Sequence, residues 1–528
     1  MEYVCSFLTE QARYGKKIMT KYEVYRTADT ALADALLRTQ NHWQAIEIEM
    51  QFLRVLSESL DEKLQVHLAH MFQKLRMKLQ EAVAALDSVL GDDTEEKSVH
   101  LDQVLKKKGS INKMKLASSV KSTLDRVLMD MDHWHTMLLP YWFLLVLVKD
   151  PMVDHQLSTH EDGKSKQIGR LKELRKEIYG SGIRKGGDAP IFITDGEWIE
   201  NRSPILYTGG ELAQDSRTKT YLYIEHFTPH PRIPPSLAIS HVRDLAHVLA
   251  VVDPLQFLIM ACRGVIKVLK PSGSIESFQL LFQIPNSLRN PRSFREVLLT
   301  TPRISLDNCF RFAKQLALAV MFVHTTNFVH KNLRPETILL FQQDTSTDVG
   351  LPFLAGFQSF RPADGMTYLS GDAEWHKDIY RHPTRQGILP EDCYQMQHDI
   401  YSLGVCLLEL GIWESLIIPT VDNGTSALGI DPNPNLNIAS CLALERPRKA
   451  RAIKEEFIAM ARERLPSLMG PRYAKVVTMC LSCLDRDNNE FGHQREFLDE
   501  DGVLIGVRYI EKVCNWSLDG HLFRFRQT

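Results

Sequence analysis

The sequence predicts a multidomain chain: an N-terminal all-α helical bundle over residues 1–154, a linker over 155–190, and an α+β domain over 191–528. Three observations predict it. A chain of 528 residues exceeds one core, since domains run to roughly 100–200 residues each. Proline is absent before Pro140 although the whole chain carries 24, and the only glycines before that point are Gly15, Gly91 and Gly109. Helix interiors exclude both residue types. From about Ile191 short β-type runs and turn residues replace this pattern.

The helical half carries apolar stripes at alternating spacings of four and three. The first runs through Leu32, Leu36, Thr39, Trp43, Ile46, Met50, Leu53, Ser57 and Leu60. Leu64, Leu68, Met71, Leu75, Leu79, Ala82, Leu86 and Val89 form a second, with Gly91 placed to stop the helix, and Leu116 to Leu138 carries a third. Helices with one apolar stripe each must bury it against one another, so an antiparallel bundle of about four is expected.

Composition narrows the partners. Lys+Arg 63 against Asp+Glu 65 gives a net charge of −2, without the basic excess of a dedicated nucleic-acid binder, so no nucleic acid is expected. Nine cysteines without framework spacing, and an opening stretch that does not read as a secretory signal, predict a cytoplasmic protein. The one C-x-x-C, Cys480 and Cys483, lies in a helix-like segment and reads as packing rather than a metal or redox site. The longest apolar run, Met137 to Val148, is shorter than the roughly 18–20 residues that span a bilayer.

One local charge cluster stands out. Between Gln103 and Leu124 lie Lys106, Lys107, Lys108, Lys113, Lys115 and Lys121 with no acidic residue among them. Interleaved with Ile111, Met114 and Leu116, they would suit an anionic membrane surface at about 1 kcal/mol per lysine. The alternative is a solvated loop and helix start. The segment His155 to Pro190 is charged and ends Gly-rich, as a linker with one short basic helix would.

In the second half, YLYIEHF (221–227) alternates like a strand, SLAISHVRDLAHVLAVV reads as a helix opened by Pro-Pro-Ser, and FLIMACRGVIKVL and SFQLLFQIP are strand-like. An apolar helix, DNCFRFAKQLALAVMFVHTTN, leads into FVHKNLRPETILLF. LAGFQSFRP, YRHPTRQG and HDIYSLGVCLLELGIW follow. Together these resemble the protein kinase family, whose catalytic loop reads H-R-D-L-K-P-E-N, over roughly residues 191–515. The resemblance implies a small lobe at about 191–286 and a large lobe at about 287–528. It also implies scaffold roles for His330, Pro335, Phe357, Asp399 and Gly404, with Asp399 accepting hydrogen bonds from the catalytic-loop backbone.

The chemistry expected of a kinase is missing at the matching positions. Asn332 stands where an Asp takes the proton of the attacking hydroxyl, and Thr337 and Gly356 stand at the two magnesium positions. On the YLYIEHF strand the best register puts Glu225 at the phosphate lysine and Tyr223 beneath the adenine ring. GVIK, ending at Lys267, mimics the lysine strand but lies too near His330, and Lys267 reads as a turn lysine. The helix before it offers one carboxylate, Asp244, on the wrong face. Gly209 and Gly210 are weak candidates for a nucleotide loop, because a glycine pair makes a turn equally well.

The resemblance therefore implies a degenerate, catalytically inactive kinase fold, a pseudokinase, with neither ATP nor magnesium as cofactor. A helical bundle before such a domain resembles the mixed-lineage kinase domain-like effectors of regulated necrosis. It is more similar still to filamentous-fungal proteins in which a HeLo-type, prion-inhibition-and-propagation domain precedes a kinase-like one. That likeness implies a signalling switch or scaffold with protein partners or self-association, recruited to the plasma membrane in programmed cell death or incompatibility. Two alternatives stand beside it: an active atypical protein kinase using Asp364, Asp372 or Asp378, and an adaptor without membrane activity.

Overall fold

The computed structural model describes residues 30–56, 151–159 and 165–179, isolated helical positions between 65 and 150, and residues 191–488 apart from short gaps. The six lysines from Lys106 to Lys121 lie outside the described residues, as do Asp364 and most of the second and third apolar stripes. The chain divides into two compact units, residues 1–173 and 174–528.

In the first unit, helix α1 (Thr30–Leu56) follows the first stripe. Trp43, Ile46, Met50 and Leu53 are all at most 2% exposed. Two helices lie in and around the stretch read as a linker, α2 (Pro151–Thr159) and the basic α3 (Lys166–Tyr179). That stretch is not simply solvated: Leu157, Ile168 and Leu171 are buried, and Ser165 donates to Glu49 of α1 at 3.1 Å. Among the described residues, no helix is long and apolar enough to cross a membrane.

The second unit joins a sheet lobe to a larger, mostly helical lobe, a mixture compatible with a kinase-like α+β fold. Strands β1 (Phe192–Ile193), β2 (Ile199–Pro204), β3 (Gly210–Asp215), β4 (Tyr221–Phe227), β5 (Ala261–Leu269) and β6 (Ile275–Gln283) form one sheet in the order β1-β5-β6-β4-β3-β2. Only the β1–β5 edge is parallel. Leu222 and Ile224 of β4 pack with Ile199, Ala213 and Leu281 on one face. By strand alternation Tyr223 and Glu225 point to the other.

Helix α4 (Pro235–Ala250) begins with proline at its first turn and buries Val242, Leu245, Ala246 and Leu249 while Asp244 stays exposed. The stripe read from the sequence is thus the packed face. Two readings need correction. FLIMACRGVIKVL is not strand throughout, because Pro254–Phe257 is a short helix capped by Asp253. Lys267 is no turn residue: it pairs with Phe278 in mid-β5, its ammonium 4.1 Å from the Phe192 ring centroid. A cation over an aromatic face is held by the ring quadrupole, which stations Lys267 at the β1 edge of the sheet.

The larger lobe starts with β7 (Leu288–Ser293), which pairs with β9 (Ile338–Gln343) beside β10 (Leu351–Leu354), while β8 (Phe328–Val329) pairs with β11 (Arg361–Pro362). Ser293 caps helix α5 (Phe294–Thr300) by accepting from the Glu296 N–H at 3.1 Å. Ser305 does the same for α6 (Leu306–Thr325) through Asn308. Helix α7 (Met396–Ile412) is buried at every residue from Gln397 onward. Buried on all sides, it is a helix inside a core, with Asp399 and Glu409 as its buried carboxyl groups. A Cβ on Gly404 would come within 2.8 Å of Cys480 Cβ, so glycine permits that close approach. Cys480 and Cys483 are buried free thiols, the second donating to the Gln397 carbonyl at 3.2 Å.

Arg295, 1% exposed, ties four parts of this lobe together. From α5 it reaches Glu336 at 3.1 Å and Glu409 of α7 at 2.7 Å, and it donates to Tyr380 and to Ser415. Removing one partner of a buried charge network strands the others without water, at about 3–5 kcal/mol. Arg295→Ala should lower unfolding stability by that amount, read as a shifted urea midpoint.

Candidate functional site

Between the lobes the structure gathers most of the residues singled out from the sequence. The anchor is Asp399, fully buried in the first turn of α7. It accepts from the His330 N–H at 2.8 Å, the Lys331 N–H at 2.9 Å, His324 Nε2 at 3.1 Å and the Tyr394 hydroxyl at 2.5 Å. Burial alone would raise its pKa, but His324 and these donors hold the carboxyl down at about 2. Two of the four donors are backbone amides of the loop. Lys331 sits at φ +66, a left-handed conformation that this pair of bonds maintains.

His330 carries the constraint onward. Its Nε2 lies 2.9 Å from the Ala355 carbonyl, which assigns the proton to that nitrogen, and Nδ1 accepts from the Asn332 N–H at 3.4 Å. Burial pushes this imidazole down to about 4, so it is neutral at physiological pH and acts as a strut. Its ring meets Phe357 edge-on at 5.1 Å, and Phe357 in turn lies 6.2 Å from Phe282, which lies 6.2 Å from Tyr223. An aromatic column thus crosses from the large lobe to the sheet.

Pro335 opens a single 3-10 turn, Pro335–Thr337, at the end of the loop. Thr337 closes it: its hydroxyl is 2.8 Å from the Asn332 carbonyl and 2.9 Å from that of Arg334, and it accepts from the Arg334 N–H at 3.2 Å. Asn332 Nδ2 donates to the Gly356 carbonyl at 3.3 Å while its Oδ1 accepts from Arg334 Nε at 3.1 Å. Both side chains at these positions are therefore engaged in holding the loop.

Gly356 has φ +85, and a Cβ there would collide with the methyl group of Thr337. The residue is glycine for two reasons at once, a left-handed backbone and no room. Its N–H points at Glu225 Oε1, 2.5 Å away, and the next N–H, of Phe357, donates to Glu225 Oε2 at 2.7 Å. Glu225 is 2% exposed. Burial drives its carboxyl up to about 7 although the two amide bonds pull the other way. Its charge bears on Tyr223 and Cys262, both neutral and both pushed up by burial.

Gly209 and Gly210 sit on the tight turn between β2 and β3, where Ile205 donates its N–H to the Gly210 carbonyl at 3.2 Å. Gly210 is covered by Tyr223, whose ring occupies the place a Cβ would need. The neighbouring Leu206 carbonyl accepts from Ser293 Oγ at 2.8 Å, joining this turn to the start of α5. Of the acidic residues offered as substitutes, Asp372 is taken up by Arg381 at 2.8 Å, and Asp378 by Arg381 at 3.0 Å and the Gly387 N–H at 3.1 Å. Among the described residues no group of three or more His, Cys, Asp or Glu side chains is arranged to hold a metal ion. Sequence reading missed Tyr394, His324 and Ser293, whose roles come from contacts across 75 and 87 positions in the two longest cases.

Comparison with known proteins agrees at the coarse level. No family model matches the chain. It is similar to the serine/threonine-protein kinase-transforming protein mos of Moloney murine sarcoma virus (strain ts110), 26% identical over 144 residues. That match covers 26% of this chain and 35% of the viral protein, so the chain spans about a third of the relative's length. The likeness supports a kinase-like protein.

The raised Glu225 pKa has a definite sign. An unfolded glutamate releases its proton near 4.5 and the folded one near 7. The folded state therefore holds the extra proton between these values, and the stability Glu225 contributes is complete below 4.5 and lost as pH rises through 7. Buried histidines such as His330 slope the opposite way as their unfolded forms titrate. The difference between wild type and Glu225→Gln isolates the term: wild type should lose roughly 3 kcal/mol relative to the variant from pH 4.5 to 8, measured by urea unfolding.

Proposed function

We propose that residues 191–528 form a catalytically inactive kinase-like switch or scaffold, a pseudokinase, that controls the N-terminal helical region. One observation supports this reading: Glu225, which the kinase resemblance aligns with the phosphate lysine, accepts hydrogen bonds from the Gly356 and Phe357 N–H groups, in the turn that the resemblance aligns with the magnesium site. A carboxylate there repels a triphosphate. Asn332 cannot take a proton at neutral pH, and neither Thr337 nor Gly356 offers the side-chain carboxylate or amide oxygen that holds magnesium at these positions in a kinase. These residues do not fit a magnesium nucleotide.

The effector role rests on the resemblance to HeLo-type and necrosis-effector architectures and on the lysines from Lys106 to Lys121. In this reading the protein is cytoplasmic, binds protein partners or its own copies, and is released onto an anionic membrane surface in programmed cell death. A second reading is favoured by the likeness to a serine/threonine kinase: an active atypical kinase.

Radiolabelled ATP with magnesium or manganese separates the two. No incorporation into the protein or a generic substrate is expected, and ATP should leave the thermal midpoint unmoved, since a bound ligand would raise the unfolding free energy by RT ln(1 + [L]/Kd) and the midpoint with it. Incorporation abolished by Asn332→Ala would establish the kinase reading instead. For the membrane role, the full chain should bind vesicles containing phosphatidylserine, and replacing Lys106, Lys107 and Lys108 by Glu should weaken that binding; equal binding by both refutes the lysine contribution.

A further inference from the structure

We propose that Glu225 is an internal ligand: carried by the sheet lobe, its carboxylate grips the Gly356–Phe357 turn of the large lobe and keeps the two lobes closed without nucleotide or metal. In a kinase, the metal-bound phosphates bridge the lobes, touching the lysine strand above and the metal-binding turn below. Here one side chain spans that gap.

The fit is geometric. Two consecutive N–H groups present a small anion-binding concavity, and a carboxylate has two oxygens to meet them. Each amide has its own oxygen, Gly356 with Oε1 and Phe357 with Oε2. The turn has little freedom to sit elsewhere: Gly356 is hemmed by Thr337, its carbonyl is held by Asn332, and the preceding Ala355 donates its N–H to the Thr337 carbonyl at 2.8 Å. On the other side of the gap Glu225 is locked into the sheet by β4 pairing with both β3 and β6.

A second lobe-to-lobe bond works alongside it. Ser293 Oγ donates to the Leu206 carbonyl while accepting from the Glu296 N–H, so the helix cap of α5 also fastens the β2–β3 turn. The aromatic column from Tyr223 to His330 fills the space between the two fastenings. Closure is thus written into the chain at several points, with Glu225 as the one charged group among them.

The inference goes beyond the inactive reading, because an internal fastening is independent of whether any phosphoryl group is transferred. Amide hydrogen exchange on the full chain tests it. In the wild type, Gly356 and Phe357 should be protected with no nucleotide present, and ATP with magnesium should leave their rates unchanged. Glu225→Ala should speed exchange at both amides roughly 10- to 100-fold, the factor for losing a hydrogen bond to a charged group, with strand Ile338–Gln343 unaffected. Glu225→Gln, nearly the same shape with one acceptor oxygen, should release one of the two and decides the matter should the alanine variant not fold. Unchanged exchange in the variant that folds, or protection of these amides that arises only on adding ATP and magnesium, overturns the proposal. Phosphate incorporation bears on the inactive reading alone.

Discussion

A carboxylate removed from water has to be met by donors, and the large lobe is organised around one that is. Asp399 stands at the start of a helix buried along its whole length, and four donors converge on it from three separate segments. Because two of those donors are consecutive backbone amides, Asp399 sets the path of the loop as well as its position. Everything downstream inherits that path: the His330 strut, the Asn332 and Thr337 bonds, and through them the turn at Gly356.

Glu225 poses the same physical problem and solves it differently. Asp399 has imidazole and hydroxyl donors added to its amides and stays well below the usual carboxylate range, whereas among the described residues Glu225 is met by two amides and no cation acts on it. The one is a charge satisfied in full, the other a charge satisfied in part. That difference suits their places. Asp399 lies inside one lobe and serves a rigid frame, while Glu225 lies on the seam between lobes, where a weaker hold leaves separation within reach.

Much of this was legible in the sequence, for reasons that can be named. The order of strands and helices, the buried stripe of α4 and the scaffold positions His330, Pro335, Phe357, Asp399 and Gly404 depend on local pattern and on motif spacing, which a linear reading captures. Glu225 was found by counting along YLYIEHF, yet only its misfit to phosphate was visible. Its partners are 131 and 132 residues away and are backbone amides, which have no signature in a sequence. Arg295 escaped notice for a related reason: nothing about FREVLLT distinguishes a buried hub from a surface arginine until Glu336, Tyr380, Glu409 and Ser415 are seen around it. Lys267 was misplaced because its closeness to His330 speaks only to the role of the phosphate lysine and not to whether the residue lies in a strand, where it pairs with Phe278.

The crowding between Gly356 and Thr337 has an evolutionary corollary. Any residue larger than glycine at 356 meets both the methyl group and the Cβ of Thr337, and serine at 337 would keep the hydroxyl bonded to Asn332 and Arg334 while clearing only the methyl. Clearing the Cβ as well takes glycine at 337, which removes that hydroxyl. A lineage carrying both residues is held by a steric ratchet, and regaining an acidic group at this turn would demand paired substitutions rather than one.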